Sequence, residues 1–376
     1  MTSNMTILPV YVSGYTQKQG QGIYSYSFDT STGLLFNGQL AAKCDSPSYI
    51  TIHRQSDQLF SANETNNYKD DQGSGYVSAF RRDETQPDRL ELLNTQSSHG
   101  ADPCYLTVRG QHCLVSNYTG GSIALLPISS KGLQPASSVI RLGQDMHLTA
   151  TRGNPERQEA PHAHAVNLDP IAHRLAIVMD LGCDLAVITD YDPSANNGLG
   201  QLGINDSRQH HFRFPDGTGP RHIVFAPNMR SFAYVLGELS NQIFMLELNS
   251  ADGDRFNLVQ QISALPENVT STTDMLGAEI DITPNGRFLY ATIRGHDSIS
   301  VFFIDDRNGK LVFVENQSTL GKHPRYFVID PNGQYLIVAN QHSDNIVTFK
   351  IDQDTGRLSH VQTIDHAEAT CIKFWF

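Results

Sequence analysis

The chain has 376 residues, of which 39% are hydrophobic and 18% charged, and its formal net charge at pH 7 is −12. This acidity argues against nucleic acids and anionic membranes as general partners, because both require a basic surface. No apolar run approaches the roughly 18 residues of a membrane helix. A small anionic ligand is compatible with the composition, since arginines can cluster locally in an acidic protein.

The first ten residues, M-T-S-N-M-T-I-L-P-V, show neither the basic stretch nor the long apolar segment of a secretion signal. The chain has five scattered cysteines, without a C-x-x-C pair or a zinc-type spacing: Cys44, Cys104, Cys113, Cys183 and Cys371. Unpaired, buried thiols in a reducing compartment are the simplest interpretation. We therefore expect a soluble, cytoplasmic protein.

A phrase that reads strand, turn, strand, polar loop, strand recurs along the chain. Its clearest copy is P-R-Y-F-V-I-D-P-N-G-Q-Y-L-I-V-A-N-Q-H-S-D-N-I-V-T-F-K-I, which runs from Pro324 to Ile351. The other copies begin at or near Pro47, Pro103, Pro161, Pro220 and Ala278. These four prolines recur at intervals of 56, 58 and 59 residues, which is about one four-stranded propeller blade.

The two ends of the chain supply a seventh copy. The N-terminal V-Y-V-S-G-Y-T and G-I-Y-S-Y-S-F-D-T-S-T-G-L-L match the second and third strands, and the C-terminal A-T-C-I-K-F-W-F can provide the first. A blade shared by both termini closes the ring without an exposed edge. We predict an all-β fold with few helices, a seven-bladed β-propeller that forms a single domain over 1–376. The alternative is a six-bladed ring with a separate terminal hairpin.

Two long polar insertions, Asn63–Gly75 and His147–Ala160, fall between blade strands. Loops of this kind either line a site or are plain solvated connections, and the sequence leaves both interpretations open.

Alignment of the copies on the turn between their first two strands places one residue of each blade at the same level. The residue that opens the first strand is, from copy to copy, Ser48, Cys104, His164, Arg221, Ala278, Arg325 and Thr370. The next position holds Tyr49, Tyr105, Ala165, His222, Glu279, Tyr326 or Cys371. The second strand ends in Tyr15, Glu64, Tyr118, Asp180, Glu238, Arg294 or Gln341. Because first strands line the channel and second strands run antiparallel to them, these residues should meet at one mouth.

His162 and His164 stand at the start of a strand, where residues i and i+2 share a face. His164 occupies the ring position, and we expect His162 at the rim.

Several ring positions carry ionisable side chains, although a wet channel mouth also holds polar residues without a function. Three arginines with one or two histidines make an anion site, since guanidinium binds carboxylate or phosphate through paired hydrogen bonds. Glu238 or His164 could act as a general base, with a pKa tuned towards neutrality by shielding. No nucleophile motif such as G-x-S-x-G is present. The His-x-His pair could instead bind a metal, with Asp180, Glu238 and Glu279 as the available carboxylates.

The chain resembles the seven-bladed lactonase family, which includes bacterial 6-phosphogluconolactonases and fungal 3-carboxy-cis,cis-muconate cyclases. The resemblance covers nearly the whole chain and depends on six motifs taken together. They are N-Y-T-G-G-S-I (117–123), R-Q-E-A-P-H-A-H (157–164), G-P-R-H (219–222), A-E-I (278–280), N-G-R-F-L-Y-A-T-I-R-G-H-D-S-I (285–299) and H-P-R-Y-F-V-I-D-P-N-G (323–333). Tyr105 and Asp281 stand where the family often has basic residues, which bears on the substrate.

The resemblance implies hydrolysis of a sugar lactone, first of all 6-phospho-D-glucono-1,5-lactone. We expect a monomer or weak homo-oligomer that requires no cofactor and no metal. The implied catalytic group is His164, Arg221, Glu238 and Arg294, the same four residues that the ring alignment singles out. The residues expected to bind the substrate are Tyr118, His162, His222, Glu279 and Arg325. The alternatives are a carboxymuconate cycloisomerase and a non-catalytic binding propeller.

Overall fold

The computed structural model describes residues 7–69, 71–83, 85–86, 88–151, 153–203, 211–229, 231–249 and 255–376. Residues 1–6 of the N-terminal region, Asp70 of the first insertion and Arg152 of the second lie outside these ranges. The described residues form seven antiparallel sheets of four or five strands, which we number as blades 1 to 7 in chain order.

The first four blades contain strands β1 to β19. Blade 1 begins with β1 (Ile7–Gly14), β2 (Gly22–Asp29) and β3 (Leu34–Lys43). Blade 2 has β4 (Pro47–His53), β5 (Gln58–Asn63), the ribbon β6 (Asn67–Tyr68) and β7 (Asp71–Gln72), β8 (Tyr76–Arg82) and β9 (Leu90–Ser97). Blade 3 has β10 (Pro103–Arg109), β11 (His112–Asn117), β12 (Ser122–Ser129), β13 (Gly132–Leu133) and β14 (Ser138–Arg141). Blade 4 has β15 (Ala163–Leu168), β16 (Leu175–Asp180), β17 (Leu185–Asp192), β18 (Gln201–Gly203) and β19 (His211–Arg213).

The remaining strands complete the ring. Blade 5 has β20 (Pro220–Phe225), β21 (Phe232–Gly237), β22 (Gln242–Asn249) and β23 (Arg255–Ser263). Blade 6 has β24 (Leu276–Ile282), β25 (Phe288–Arg294), β26 (Ser298–Ile304) and β27 (Leu311–Ser318). Blade 7 has β28 (Pro324–Ile329), β29 (Tyr335–Asn340), β30 (Asn345–Ile351) and β31 (Leu358–Asp365), and β32 (Ala369–Phe374) returns to blade 1.

Helical structure in the described residues is limited to three short turns, Arg54–Ser56 (3₁₀), α1 (Leu142–Asp145) and α2 (Ala195–Gly198). None of these described helices has the length and apolar character needed to traverse a bilayer.

Strand β32 pairs antiparallel with β1 and aligns Ile372 with Val12. Blade 1 is therefore built from both ends of the chain. The innermost strands contact one another in a closed cycle: β32, β4, β10, β15, β20, β24, β28 and again β32. These contacts confirm the seven-bladed propeller with a shared blade, and the six-bladed alternative is wrong.

The hydrophobic core lies between neighbouring blades, where apolar faces of adjacent sheets pack together. Tyr290 of blade 6 and Phe327 of blade 7 belong to one such cluster, with ring centroids 6.5 Å apart. Burial of a side chain such as Phe327 contributes about 1.5–3 kcal/mol. The Tyr290 hydroxyl donates to the Gly356 carbonyl at 2.8 Å, and Tyr234 likewise reaches Gly309 at 2.6 Å. Each of these tyrosines thus ties its blade to a turn of the next.

Every innermost strand carries a β-bulge close to its start. In blade 5, Pro220 pairs with Gly237 and His222 with Leu236, so Arg221 stays outside the ladder. A bulge re-aims the side chain of its extra residue. The extra residues are Ser48, Cys104, His164, Arg221, Arg325, Thr370 and, in blade 6, one of Ala278 and Glu279. The bulges therefore coincide with the ring positions predicted from the repeat.

The strand pairing corrects one member of the predicted ring. Asp180 is the last residue of β16, whereas Glu238 follows the last residue of β21, so Leu181 takes the position assigned to Asp180. The Asp180 carboxylate accepts hydrogen bonds from the backbone N–H groups of His162 and Cys183, at 2.8 and 3.1 Å. Its role is to hold the turn after β16.

Candidate active site

Glu238 lies at the centre of the charged cluster, at the junction of blades 5 and 6. It follows β21 directly, and its backbone N–H donates to the Gly219 carbonyl at 2.7 Å. Its own carbonyl accepts a hydrogen bond from the Gly277 N–H at 2.9 Å. The backbone of both blades therefore fixes this residue.

Four basic side chains from four elements surround the Glu238 carboxylate. Oε1 accepts a hydrogen bond from Arg157 Nη2 at 2.6 Å, and Oε2 accepts one from Arg221 Nε at 3.1 Å. Arg294 Nη2 lies 2.9 Å from Oε2, and His164 Nε2 lies 3.7 Å from it. The structure thus brings together the four residues predicted as the catalytic group and adds Arg157.

Glu238 is only 1% exposed. Burial acts to raise its pKa, but the positive charges of Arg294 and Arg157, then the adjacent His164 ring and the charge of Arg221, hold the pKa well below its ordinary range. Glu238 is therefore ionised at neutral pH and, in this arrangement, a weak base. The expected tuning of its pKa towards neutrality is wrong.

His164 is buried and neutral at pH 7. Burial lowers its pKa well below the ordinary value, and the charge of Arg221 and the adjacent His222 ring lower it further. This shift also runs against the expected tuning to neutrality. Its Nδ1 lies 3.9 Å from Cys104 Sγ, and the Cys104 thiol donates to the His164 carbonyl at 3.3 Å. A neutral imidazole beside Glu238 can accept a proton and pass it on.

Arg221 and Arg294 are anchored by the backbone as well as by Glu238. Arg221 Nη1 donates to the Ala278 carbonyl at 2.5 Å, and Arg294 Nη2 donates to the Gly277 carbonyl at 3.0 Å. Arg294 Nε is buried without a hydrogen-bond partner among the described residues. Burial lowers the Arg294 pKa to about 10 although Glu238 opposes this. Arg294 therefore retains an unused donor.

Arg325 belongs to a second ion pair on the other side of the mouth. Its Nη2 lies 3.5 Å from Glu64 Oε2, and its guanidinium lies 5.2 Å from the centre of the Tyr15 ring. The Tyr15 hydroxyl donates to Glu64 Oε1 at 2.8 Å. Glu64 and Tyr15, which the ring alignment placed at strand ends, are thus the partners of Arg325.

His222 and Glu279 pair with each other beneath Arg221. His222 Nδ1 lies 3.0 Å from Glu279 Oε1, and Arg221 Nη1 lies 3.3 Å from the His222 ring nitrogens. Burial lowers the pKa of His222 to about 4, with Glu279 opposing the shift. The ring of Tyr105 packs edge-on against His222 at 4.9 Å. His222 and Glu279 are predicted to bind the substrate, and in the structure this pair lies beside Arg221.

Tyr118 connects the two histidines of the P-H-A-H motif. Its ring stacks on His162 at 4.5 Å and meets His164 edge-on at 5.5 Å, while its hydroxyl accepts a hydrogen bond from Arg157 at 2.9 Å. His162 is buried, with its ring nitrogens 3.1 Å from the Tyr118 carbonyl and 3.0 Å from Glu159 Oε1. His162 precedes β15 and therefore does not share a strand face with His164, whereas its position at the rim stays a prediction.

The mouth carries more positive than negative charge, because His164 and His222 are neutral and four guanidinium groups face three carboxylates, a formal net of +1. These groups are Arg157, Arg221, Arg294, Arg325, Glu64, Glu238 and Glu279. In a chain of net charge −12, this local excess makes a receptor for an anion. Over the described ranges, no group of three or more His, Cys, Asp or Glu side chains is arranged to hold a metal ion.

Residues 9–374 match the family model described as lactonase, seven-bladed β-propeller. The chain belongs to this lactonase family. The 6-phosphogluconolactonase of Bacillus subtilis is 36% identical to it over 85% of this chain and 84% of the relative. A candidate 6-phosphogluconolactonase of Bacteroides fragilis has a TM-score of 0.88 and 32% identity, and the match covers 100% of this chain and 99% of that one. The periplasmic gluconolactonase of Pseudomonas aeruginosa has a TM-score of 0.87 and 28% identity, covering 98% and 99%.

One member of the site in this lactonase, Arg157, escaped the ring alignment. The alignment registers strand ends only, and Arg157 lies in the His147–Ala160 insertion. A signal was present, because Arg157 opens the R-Q-E-A-P-H-A-H motif that also contains His162 and His164. Of the two interpretations of this insertion, the structure favours a loop that lines the site.

Proposed function

We propose that this lactonase-family hydrolase acts on 6-phospho-D-glucono-1,5-lactone and releases 6-phosphogluconate. The main support is the cluster of four arginines at the mouth, three of which contact the buried Glu238. A sugar phosphate is close to a dianion at neutral pH, with a second pKa near 6, so its charge complements that of the mouth. The B. subtilis relative, a 6-phosphogluconolactonase, supports the same substrate class.

In the proposed reaction, Glu238 accepts a proton from a water molecule whose oxygen bonds to the lactone carbonyl carbon. Arg221 and Arg294 donate hydrogen bonds to the developing oxyanion, and Arg294 has an unused Nε–H for this purpose. The tetrahedral intermediate collapses with cleavage of the ring C–O bond. The departing ring oxygen receives the proton through His164, which lies 3.7 Å from Glu238.

The test is to incubate purified protein with 6-phosphogluconolactone and, separately, with 3-carboxy-cis,cis-muconate, and to follow product formation against the spontaneous reaction. Hydrolysis of the phosphorylated lactone above the blank is the expected result. Turnover of the carboxymuconate alone would replace the proposal by a cycloisomerase. Binding of either compound without turnover would indicate a non-catalytic propeller.

We propose that the reaction is independent of metal ions, since the guanidinium groups supply the positive charge that a Lewis acid would otherwise provide. Dialysis against EDTA should leave the rate unchanged. A loss of activity that a divalent cation restores would contradict this.

We also propose a cytoplasmic location and a monomer or weak homo-oligomer. All five cysteines are unpaired and four of them are buried, which suits a reducing compartment. Cell fractionation checks the location, and recovery in a periplasmic fraction would contradict it. Sedimentation velocity checks the assembly, and a stable oligomer at nanomolar concentration would contradict it.

A further inference from the structure

Arg157 differs from the other arginines around Glu238 in its exposure. Its side chain is 34% exposed, against 4% for Arg221 and 7% for Arg294. Arg157 binds Oε1, whereas the other two share Oε2. Release of Arg157 would therefore uncover one carboxylate oxygen and leave both buried ion pairs intact.

The backbone that carries Arg157 is fixed, although its side chain reaches solvent. The next residue, Gln158, is fully buried; its Nε2 donates to the Leu181 carbonyl at 2.8 Å, and its Oε1 accepts from the Asn154 N–H at 2.8 Å. The Arg157 N–H donates to the Asn154 carbonyl at 3.2 Å. A change of partner by Arg157 therefore needs only side-chain rotation.

Tyr118 gives Arg157 a second, neutral anchor. Its hydroxyl accepts a hydrogen bond from Arg157 Nη2 at 2.9 Å, and its ring centre lies 5.9 Å from the guanidinium. The Tyr118 ring is in turn held by stacking on buried His162. The guanidinium can thus remain at the mouth after it leaves Glu238.

We propose that Arg157 exchanges partners when the substrate binds, leaving Glu238 Oε1 and taking the anionic group of the lactone. This inference rests on the proposed function and names the residue that selects an anionic substrate. A bidentate guanidinium–phosphate pair uses the same Nη donor that now binds Glu238. Anion binding and release of the base are then a single event, which a lactone without an anionic group does not trigger.

The exchange strengthens the base. Nine titratable or charged groups lie close enough to interact electrostatically with the Glu238 carboxylate. They are Cys104, Tyr118, Arg157, His164, Arg221, His222, Arg294, His323 and Arg325. Withdrawal of Arg157 removes one of the positive charges, so the Glu238 pKa rises while the remaining arginines keep the group ionised at neutral pH. A carboxylate with a higher pKa takes a proton from water more readily.

The test compares wild type with Arg157→Gln on 6-phosphogluconolactone and on neutral glucono-1,5-lactone. For the phosphorylated lactone we expect kcat/KM to fall about 10- to 100-fold, since a charge-assisted pair is lost. For the neutral lactone kcat/KM should be retained or rise, because the variant frees Glu238 from Arg157, and the acid limb of its pH profile should move to higher pH. Arg357→Gln removes an exposed arginine paired with Glu315 and should leave kcat/KM unchanged for both lactones.

Equal losses of kcat/KM on both lactones would indicate a merely structural role of Arg157 and overturn the inference. Wild-type values of kcat/KM for both lactones would overturn it as well. If wild type hydrolyses neither lactone, the proposed function fails, and calorimetry with 6-phosphogluconate and gluconate decides the role of Arg157. Loss of affinity for 6-phosphogluconate alone in Arg157→Gln supports the exchange. Unchanged affinity for both compounds overturns it.

Discussion

Glu238 is defined by its neighbours more than by its own chemistry. A buried carboxylate by itself would favour the protonated form, yet the surrounding guanidinium groups keep Glu238 ionised. Its reactivity then depends on which cations remain in contact when an anionic substrate competes for them. Under the proposed exchange of Arg157, such a strongly acidic carboxyl group would still serve as a base.

Replacement of Glu238 by Gln should lower kcat on 6-phosphogluconolactone by about 10²- to 10⁴-fold, because glutamine keeps the shape and cannot accept the proton. KM should stay equal or fall, since the mouth gains positive charge. Steady-state kinetics that separate kcat from KM provide the measurement. Glu315→Gln on β27 is the matched control, because that carboxylate binds exposed Arg357. A wild-type kcat in Glu238→Gln would contradict the assignment.

His366 should make the stability of the protein depend on pH. Burial lowers its pKa from the ordinary 6.5 to about 4, with Asp344 opposing the shift, and its Nδ1 lies 2.8 Å from the Tyr26 hydroxyl. Between pH 6.5 and 4 the unfolded chain therefore binds more protons, so acidification through this window favours unfolding. From pH 7.5 to 5, wild type should lose about 2 kcal/mol more than His366→Gln.

Chemical denaturation at the two pH values measures this difference. The exposed His360 provides the control, and His360→Gln should keep the wild-type response. An equal loss of stability in wild type and His366→Gln would show that His366 does not carry the effect.

The sequence predicts three of the four residues around Glu238 and misses one. His164, Arg221 and Arg294 occupy repeated positions, so the other copies reveal them as departures. Arg157 lies in an insertion that has no counterpart in the other blades, and its contact with Glu238 spans 81 residues. Only a folded chain brings such a pair together.

At the level of elements, strand alternation and turn residues predict the blades, while the bulges escape detection. A bulge shifts the pairing by one residue within two or three positions, and the apolar pattern of a short strand does not resolve this. The turn between β15 and β16 is one residue longer than that of blade 7, since the Asp169 N–H donates to the Leu175 carbonyl and the Asp330 N–H to the Tyr335 carbonyl. A register taken from this turn therefore places Asp180 one residue before the correct position. The apolar pattern also does not show that β15 begins only at Ala163, after His162.

Gly182 should control the position of the loop that carries Arg157. A methyl group at this glycine would overlap the carbonyl oxygen of Ala160, so Gly182→Ala must displace the end of the His147–Ala160 insertion. We expect a loss of about 1–3 kcal/mol in stability, and kcat/KM reduced at least about tenfold because the mouth loses its alignment. Gly143→Ala is the control, since its nearest neighbour would lie at 3.4 Å. Equal kinetics in the two variants would contradict the expectation.

At the level of the whole molecule, the repeat predicts seven blades because six copies and two matching termini are visible in the sequence. Ring closure depends on one strand, β32, whose Cys371 and Ile372 are completely buried. Its pairing with β1 joins residues more than 350 positions apart in the sequence.

Removal of residues 369–376 should abolish cooperative folding, since β1 becomes an open edge and the inner core of blades 1, 2 and 7 is exposed. Removal of Phe376 alone, which is half exposed, should be tolerated. Thermal melting followed by circular dichroism, together with size-exclusion chromatography, distinguishes the two. A folded, monomeric product of the longer deletion would show that closure is dispensable.

The bulges allow the side chains at the mouth of the channel to change without a change of fold. Each bulged residue lies outside the strand pairing, and the side chains of Ser48 and Thr370 at these positions are small. Substitutions there would alter what the channel recognises while the seven sheets stay as they are. The bulged positions of the propeller can thus be substituted independently of one another. A change of substrate requires new side chains at a few of these positions, while the scaffold is retained.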